Sequence, residues 1–453
     1  MAAASMARWG LGLGLILPVS GLLWTADLPL DLAVGLWVFV VVASLWLTQA
    51  IHVTATALLV PVLAVITGLL TLKGALTSFA HPIIFLFMGG FALAAALSHH
   101  GLDQAMVRGV LCVARGQRLR AVWLLCAVAA LLSMWMSNTA TAVMMLPLAL
   151  ALLAPQPGVP EATPSERVFV LLGLAYSASL GGVATLVGSP PNALAAAQAQ
   201  IGFAEWLWRA GPLAVLLWGL AMGVLTWLCQ PRLEGQVPVH DSHTHPWRWN
   251  PGRVLTLLIF ALTVLGWVAG APLGRWLGVT ADTDTLVALL AMLALLGTGT
   301  VTWREVERQT QWGVLLLFGG GLVLSEVMAR SGASAFMAQH LLTWVQGAPT
   351  VVLVLAVVAF VVFLTELVSN TASAALLLPL LLPVGQALGL DTVALAMAIA
   401  VAASCAFMLP VATPPNAIVF ATDQVPQSAM MRCGFWLNIA CLFVIAIHTL
   451  LWA

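Results

Sequence analysis

The chain has 453 residues, of which 62% are hydrophobic and 7% are charged, and its mean hydropathy is +1.06. Because a soluble domain carries about 25% charged residues, this composition excludes an ordinary soluble protein. The formal net charge is zero, which gives no electrostatic reason to expect a nucleic-acid partner. We therefore expect a multi-pass membrane protein whose partners include the lipid bilayer.

Apolar runs of the length needed to cross a bilayer, roughly 17 to 25 residues, predict the elements in chain order. The first half is predicted to contain spans near 10–24, 32–50, 55–72 and 82–98, a hairpin over 121–154, and spans near 167–200 and 211–229. The second half is predicted to contain spans near 253–270, 284–300 and 312–329, a hairpin over 350–385, and spans near 393–421 and 434–452. The sum is about eleven transmembrane helices plus two re-entrant helical hairpins.

Basic residues predict the orientation of these spans. With a cytoplasmic N-terminus, twelve of the sixteen basic residues face the cytoplasm and four face the opposite side, as the positive-inside rule requires. We therefore predict a protein of the cytoplasmic (inner) membrane with an extracytoplasmic C-terminus. The first apolar run, Leu11 to Leu23, also fits a cleaved signal peptide, but no clear cleavage site follows it and the span count requires it.

Two polar motifs each occur twice in this apolar chain. The triplet Ser137-Asn138-Thr139 recurs in the second half as Ser369-Asn370-Thr371, and Pro190-Pro191-Asn192 recurs as Pro414-Pro415-Asn416. Upstream of the triplets, Met88-Gly89-Gly90 is matched by Phe318-Gly319-Gly320. Three markers in the same order and at nearly constant spacing indicate an internal repeat. The Gly-Gly markers lie on the fourth and ninth predicted spans, which therefore cross the membrane in opposite directions, and this predicts inverted repeats, an architecture typical of secondary transporters.

The repeated motifs predict oxygen-rich sites at membrane depth. Paired prolines remove backbone donors and break the helix before them, which frees carbonyls that can coordinate a cation. A hydroxyl lies one helical turn before each triplet, Ser133 before Ser137 and Thr365 before Ser369, a spacing that would place both hydroxyls on one helical face. Each triplet also lies near a helix start, where free N–H groups favour an anion. The ordinary alternative is that these residues only bond to helix carbonyls and kink the spans, which is less favoured for a doubled pattern.

At these motifs the chain resembles the divalent anion sodium symporter (DASS) family, the INDY-type dicarboxylate transporters. The resemblance covers nearly the whole chain and includes Thr365-Glu366-Leu367-Val368-Ser369-Asn370-Thr371 and Leu409-Pro410-Val411-Ala412-Thr413-Pro414-Pro415-Asn416. It implies an all-α elevator-type transporter that works as a homodimer and couples Na⁺ to a dicarboxylate such as succinate, malate or fumarate, or to citrate or sulfate.

The resemblance also implies the site residues. One Na⁺ site would use Ser133, Ser137, Asn138 and the Gly188 carbonyl, and the other would use Thr365, Ser369, Asn370 and the Ala412 carbonyl. The substrate would contact the following residues: Asn138, Thr139, Ser189, Asn370, Thr371, Thr413 and the backbone at Pro414. Neither hairpin contains Arg or Lys, so bound Na⁺ would supply the charge that compensates a dianion. No organic cofactor is expected.

The same resemblance divides the chain into five regions. Scaffold helices occupy 1–120 and 253–349, transport regions with a hairpin and a broken helix occupy 121–229 and 350–453, and a cytoplasmic linker occupies 230–252. The linker contains His240, His243 and His245, which could bind a metal but fit a solvated segment better.

Alternatives to sodium-coupled symport remain open in part. A sodium-independent dicarboxylate exchanger is the closest, although Ser133 and Thr365 favour cation sites. An intramembrane enzyme is disfavoured because Glu326 and Glu366 are nearly the only catalytic candidates at membrane depth, and Glu366 is interpreted first as a structural hydrogen-bonding residue. The cysteines are interpreted as buried hydrophobes, and tryptophans such as Trp206 as parts of interfacial belts.

Overall fold

The structure is a computed structural model that describes residues 2–25, 27–102, 105, 109, 113–114, 117–154, 161–233, 249–278, 282–345 and 347–452. The histidine segment His240 to His245, most of the linker region 230–252, and Cys112 lie outside these residues. The five cysteines that are described are buried and free of disulfides, as the sequence predicted.

The described residues form twenty-one α-helices and two short 3₁₀ turns, at Ser78–Ala80 and Gly182–Ala184. The helices of the first half are α1 (Ala2–Thr25), α2 (Leu30–Thr48), α3 (Val53–Ile66), α4 (Leu72–Thr77), α5 (Pro82–His99), α6 (Arg118–Ser133), α7 (Asn138–Leu153), α8 (Pro164–Gly181), α9 (Pro190–Ala199) and α10 (Phe203–Cys229). The helices of the second half are α11 (Pro251–Val268), α12 (Gly270–Leu277), α13 (Thr283–Gly297), α14 (Trp303–Gln309), α15 (Trp312–Arg330), α16 (Ala333–Val345), α17 (Thr350–Thr365), α18 (Asn370–Ala387), α19 (Thr392–Ser404), α20 (Pro414–Phe420) and α21 (Gln427–Trp452).

The predicted spans correspond to helices of two lengths. Eight helical stretches of the described residues are long and apolar enough to cross a membrane, and seven of them match predicted spans while the eighth is α18, an arm of the second hairpin. The other four predicted spans fall on shorter apolar helices, within α1 and at α3, α13 and α19. The protein is therefore an all-α, multi-pass membrane protein.

Both hairpins and both broken helices lie where the sequence placed them. The first hairpin is formed by α6 and α7 and the second by α17 and α18. The predicted span 167–200 is split into α8 and α9 by residues 182–189, and the span 393–421 is split into α19 and α20 by residues 405–413. In both cases the second piece begins at the Pro-Pro pair, because proline is tolerated in the first turn of a helix but not in its interior.

Each broken helix packs against the other half of the chain. Helix α9 contacts α18 and α19 of the second half, and α20 contacts α7 and α8 of the first half. Arg118, at the start of α6, donates from Nε to the Leu152 carbonyl at 2.6 Å and thereby joins the two ends of the first hairpin. The polar motifs therefore lie in one block built from both halves.

The helix that precedes each hairpin contacts a helix of the other half of the chain at a glycine. Helix α5 packs against α13 and α15 packs against α3. A Cβ atom added at Gly89 would lie 2.6 Å from the Ala288 carbonyl oxygen, and one added at Gly320 would lie 2.5 Å from the Ala57 carbonyl oxygen. The Met-Gly-Gly and Phe-Gly-Gly markers are therefore sites of close backbone approach, as is usual for helix packing in membranes.

We expect Gly320→Val to destabilise the protein by about 1–3 kcal/mol, because the new side chain meets backbone that cannot move aside. The melting temperature in detergent would measure the loss. Gly219→Val is the matched control, since a Cβ atom at Gly219 meets no neighbour within 4 Å. Equal melting temperatures for the two variants would contradict the close approach.

Four helices were not predicted, namely α4, α12, α14 and α16. Helix α16 occupies Ala333–Val345, between the last scaffold span and the second hairpin. All four are short and lack the long apolar run on which the prediction of spans depends.

Candidate functional site

The tip of the first hairpin is a turn closed by a hydrogen bond between two side chains. Ser133, fully buried at the end of α6, donates from Oγ to Asn138 Oδ1 at 2.6 Å. Ser137 caps α7 by accepting from the Ala140 N–H at 3.2 Å. The predicted stacking of Ser133 and Ser137 on one helical face is wrong, because α6 ends at Ser133 and a turn separates the two residues.

The tip of the second hairpin repeats this arrangement. Thr365 Oγ1 lies 2.9 Å from Asn370 Oδ1 and 2.7 Å from the Ala403 carbonyl oxygen. Thr365 ends α17, and Ser369 is the residue before α18. The prediction that Thr365 and Ser369 share one helical face is therefore also wrong, and the feature common to both tips is the bond from the hydroxyl to the asparagine.

Oxygen atoms converge beside the first tip. A Cβ atom added at Gly182 would lie 2.5 Å from Asn138 Oδ1 and 2.8 Å from the Gly188 carbonyl oxygen. A Cβ atom added at Gly188 would lie 2.6 Å from the Gly182 carbonyl oxygen and 2.9 Å from that of Ser133. The structure therefore brings Ser133, Asn138 and Gly188 together, as the sequence predicted, and adds Gly182. In the second half Ala412 is buried in the matching segment 405–413.

The asparagines of the two Pro-Pro-Asn motifs hold the non-helical segments in shape. Asn192 Nδ2 donates to the carbonyls of Gly182 at 2.9 Å and Thr185 at 2.7 Å. Asn416 Nδ2 donates to the carbonyls of Ala406 and Leu409, both at 3.1 Å. The two pairs of acceptors are equivalent in the repeat, because they occupy the same positions relative to their Pro-Pro-Asn motifs. The sequence analysis did not assign this role, although the doubled asparagine was visible.

A side chain from elsewhere in the chain holds one further carbonyl in each segment. Trp206 Nε1 donates to the Val183 carbonyl at 3.1 Å, and the Tyr176 hydroxyl donates to the equivalent Phe407 carbonyl at 2.9 Å. Trp206 is fully buried, so its assignment to an interfacial belt is wrong. Tyr176 is the only tyrosine of the chain, and its role depends on a contact that local sequence does not reveal.

The residues predicted to contact substrate are distributed over both halves. Asn138, Thr139 and Asn370 are partly exposed at the tips, whereas Thr371 is buried at the start of α18. Ser189 Oγ lies 3.3 Å from Ser404 Oγ of the second half. Thr413 Oγ1 accepts from the Asn416 N–H at 3.3 Å, and Pro414 begins α20.

Two further hydroxyls in the same helices lack a hydrogen-bond partner. Thr141 Oγ1 and Ser373 Oγ are completely buried and unpartnered, and they are equivalent in the repeat, because each follows its Ser-Asn-Thr triplet at the same position. Unlike Thr226 or Thr263, which donate to a carbonyl one turn earlier, they do not bond back to their own helix. They remain available to a bound ligand or water.

Glu326 and Glu366 have different environments. Glu326 pairs with Arg330 at 2.7 Å on α15 and is partly exposed. Glu366 is 4% exposed and accepts from the backbone of the second non-helical segment at Phe407, Met408 and Leu409. The interpretation of Glu366 as a hydrogen-bonding residue agrees with this geometry.

Comparisons with known proteins agree with the class of this site. Two helical hairpins facing two broken helices, in an all-α membrane protein, define a membrane transporter rather than an enzyme. The sequence matches the family model described as citrate transporter (CitMHS) over residues 43–352 and 282–453. The chain belongs to this citrate transporter family, which agrees with the resemblance to the DASS transporters.

Several relatives cover most of the chain. An uncharacterized transporter of Haemophilus influenzae is 47% identical over 91% of this chain and 90% of its own length. The sodium-dependent dicarboxylate transporter SdcS of Staphylococcus saprophyticus is 30% identical over 92% of this chain and 84% of its own length. Among solved structures, the YdaH transporter of Alcanivorax borkumensis has a TM-score of 0.58 at 18% identity and covers 84% of this chain and 87% of its own, which shows a shared fold.

Proposed function

We propose that the protein is a secondary active transporter that couples Na⁺ to the uptake of a divalent organic anion, a C4-dicarboxylate such as succinate, malate or fumarate. The observation that carries the proposal is the pair of equivalent oxygen clusters, Ser133 with Asn138 and Thr365 with Asn370. Dicarboxylate and sodium are part of the name of the SdcS relative, and the two oxygen clusters offer the kind of ligands that Na⁺ would need.

Na⁺ would bind at the two hairpin tips. Unwound backbone carbonyls and hydroxyl or amide oxygens are the ligands that secondary transporters offer to Na⁺. The first site would be formed by Ser133, Ser137, Asn138 and the Gly188 carbonyl. The Gly182 carbonyl oxygen lies beside Gly188 and would be a further ligand. The second would be formed by Thr365, Ser369, Asn370 and the Ala412 carbonyl.

The anion would bind between the two tips. Helices α7 and α18 begin at Asn138 and Asn370, so their free N–H groups and positive dipole ends favour a carboxylate. Thr139, Ser189, Thr371, Thr413 and the backbone at Pro414 would complete the site. Neither hairpin tip carries a basic side chain, so Na⁺ would balance the charge of a dianion and the two ligands would bind together.

The same proposal includes the mode of transport. The two halves would be inverted in the membrane, with a cytoplasmic N-terminus, and the block of hairpins and broken helices would move against the helices α3, α5, α13 and α15 in an elevator motion within a homodimer. The distribution of basic residues, twelve to four, supports this orientation.

The test is uptake of labelled succinate into proteoliposomes under an inward Na⁺ gradient. We expect uptake to fall to background when choline replaces Na⁺. Uptake that persists without Na⁺ and depends on dicarboxylate inside the vesicles would instead identify an exchanger. Competition by unlabelled fumarate, citrate and sulfate would rank the substrates, and the family description favours including citrate.

A further inference from the structure

Glu366 is a feature of the second half that the first half lacks. Residues 118–153 and 350–387, which contain the two hairpins, include no other acidic residue, and Met134 occupies the equivalent position in the first hairpin. In the first half the Met134 carbonyl accepts from Thr185 Oγ1 at 2.5 Å, which is a neutral contact. The repeat is therefore symmetric in its oxygens but not in its charge.

The hydrogen bonds around Glu366 favour an ionised carboxylate. Oε1 accepts from the Phe407 N–H at 2.7 Å and from Asn438 Nδ2 at 2.7 Å, and Oε2 accepts from the Leu409 N–H at 3.1 Å. The Met408 N–H lies between the two oxygens, at 2.9 and 3.1 Å. All four partners are donors, and a protonated carboxyl would need an acceptor for its own hydrogen. This arrangement of donors favours the carboxylate form of Glu366.

No basic side chain in the described part of the chain neutralises this carboxylate. Among the described residues, no Arg, Lys or His forms an ion pair with Glu366. Its partners are backbone and amide dipoles, which stabilise the charge without cancelling it.

This charge lies next to the second oxygen cluster. Glu366 directly follows Thr365, whose Oγ1 contacts Asn370 Oδ1 and the Ala403 carbonyl. It also binds the segment of Phe407 to Leu409, which leads to Ala412. Glu366 is therefore next in sequence to one residue proposed to bind the second Na⁺, and it is hydrogen-bonded to the segment that leads to another.

We infer that Glu366 makes the second cluster the stronger of the two cation sites, so that it fills with Na⁺ before the first cluster does. This inference rests on the proposed function. At an effective dielectric constant of about 20, a unit negative charge close to the site is expected to raise its affinity for a monovalent cation by at least about tenfold.

The first test is a Na⁺ titration of the purified protein without substrate, in which the melting temperature is the measured quantity. Choline replaces Na⁺ so that the ionic strength stays constant. We expect Glu366→Gln to raise the Na⁺ concentration for half-maximal stabilisation at least about tenfold, and Glu366→Asp, which keeps the charge, to change it far less. Met134→Gln is the matched control in the first hairpin and is expected to behave like the wild type. Equal Na⁺ affinities for E366Q and the wild type would overturn the inference.

A second comparison leaves Glu366 in place, which covers the case in which E366Q does not fold. Thr365→Ala removes a ligand of the second cluster and Ser133→Ala removes one of the first. We expect T365A to weaken the substrate-free Na⁺ response at least tenfold more than S133A does. Equal weakening in a protein that still responds to Na⁺ would overturn the inference alone, whereas a wild-type protein with no response to Na⁺ in melting and in uptake would overturn the proposed function.

Discussion

Replacing Asn138 or Asn370 by alanine is expected to reduce Na⁺-driven dicarboxylate uptake about a hundredfold. Each variant would lose the charge-assisted interactions of its amide with the proposed ions, which are worth about 1.5–3 kcal/mol. In each half the asparagine Oδ1 accepts from a buried hydroxyl, Ser133 or Thr365. Alanine would remove this acceptor and one oxygen proposed to bind Na⁺, and would leave the hydroxyl without its partner. Initial rates of labelled succinate uptake into proteoliposomes would measure the effect.

Asn250→Ala is the control for this experiment. Asn250 caps α11 by accepting from the Arg253 N–H at 2.8 Å, and it is exposed. Its loss is expected to cost about 1 kcal/mol of stability and to leave uptake close to that of the wild type. Wild-type uptake by both N138A and N370A would disprove the proposed sites.

The second large effect is expected at Gly188. In Gly188→Ala the new methyl carbon would lie 2.6 Å from the Gly182 carbonyl oxygen and 2.9 Å from the Ser133 carbonyl oxygen. Both neighbours are backbone, so the methyl group would occupy the space between the oxygens of the first cluster. We expect G188A to lose Na⁺-driven uptake and to show a weaker shift of melting temperature with Na⁺ than the wild type.

The chain offers a reciprocal variant, because Ala412 stands at the equivalent position of the second half. Ala412→Gly removes a methyl group instead of adding one, and its main cost is about 0.5–1 kcal/mol of backbone entropy. Uptake by A412G is therefore expected to remain measurable. A monodisperse G188A protein with wild-type Na⁺ dependence would show that the first cluster does not bind Na⁺.

The positions of the hairpins and breaks could be predicted from the sequence because proline, glycine and N-cap residues act locally. The first hairpin was expected over 121–154 and extends from Arg118 to Leu153, and both breaks end at a Pro-Pro pair. Helix α16 was missed because its thirteen residues are too short to be recognised as a span.

The fine structure of the site could be predicted only in part. The convergence of Ser133, Asn138 and Gly188 was expected from the motifs, but the stacking of Ser133 on Ser137 was wrong because the helix ends between them. The bond from Tyr176 to Phe407 joins residues far apart in the sequence, and only tertiary structure brings them together. The assignment of the residues in the repeated motifs to Na⁺ and substrate stays a prediction.

The exchange of partners between the halves has a consequence for biosynthesis. Helix α9 packs against α18 and α19, and Ser189 reaches Ser404, so the helix that follows the first oxygen cluster lacks its full set of partners until the chain has been synthesised to residue 404. Helices that enter the membrane early must therefore wait for late ones before either cluster is enclosed. A nascent chain that stopped between the halves would hold every residue proposed for the first Na⁺ site but none of the helices of the second half against which α9 packs.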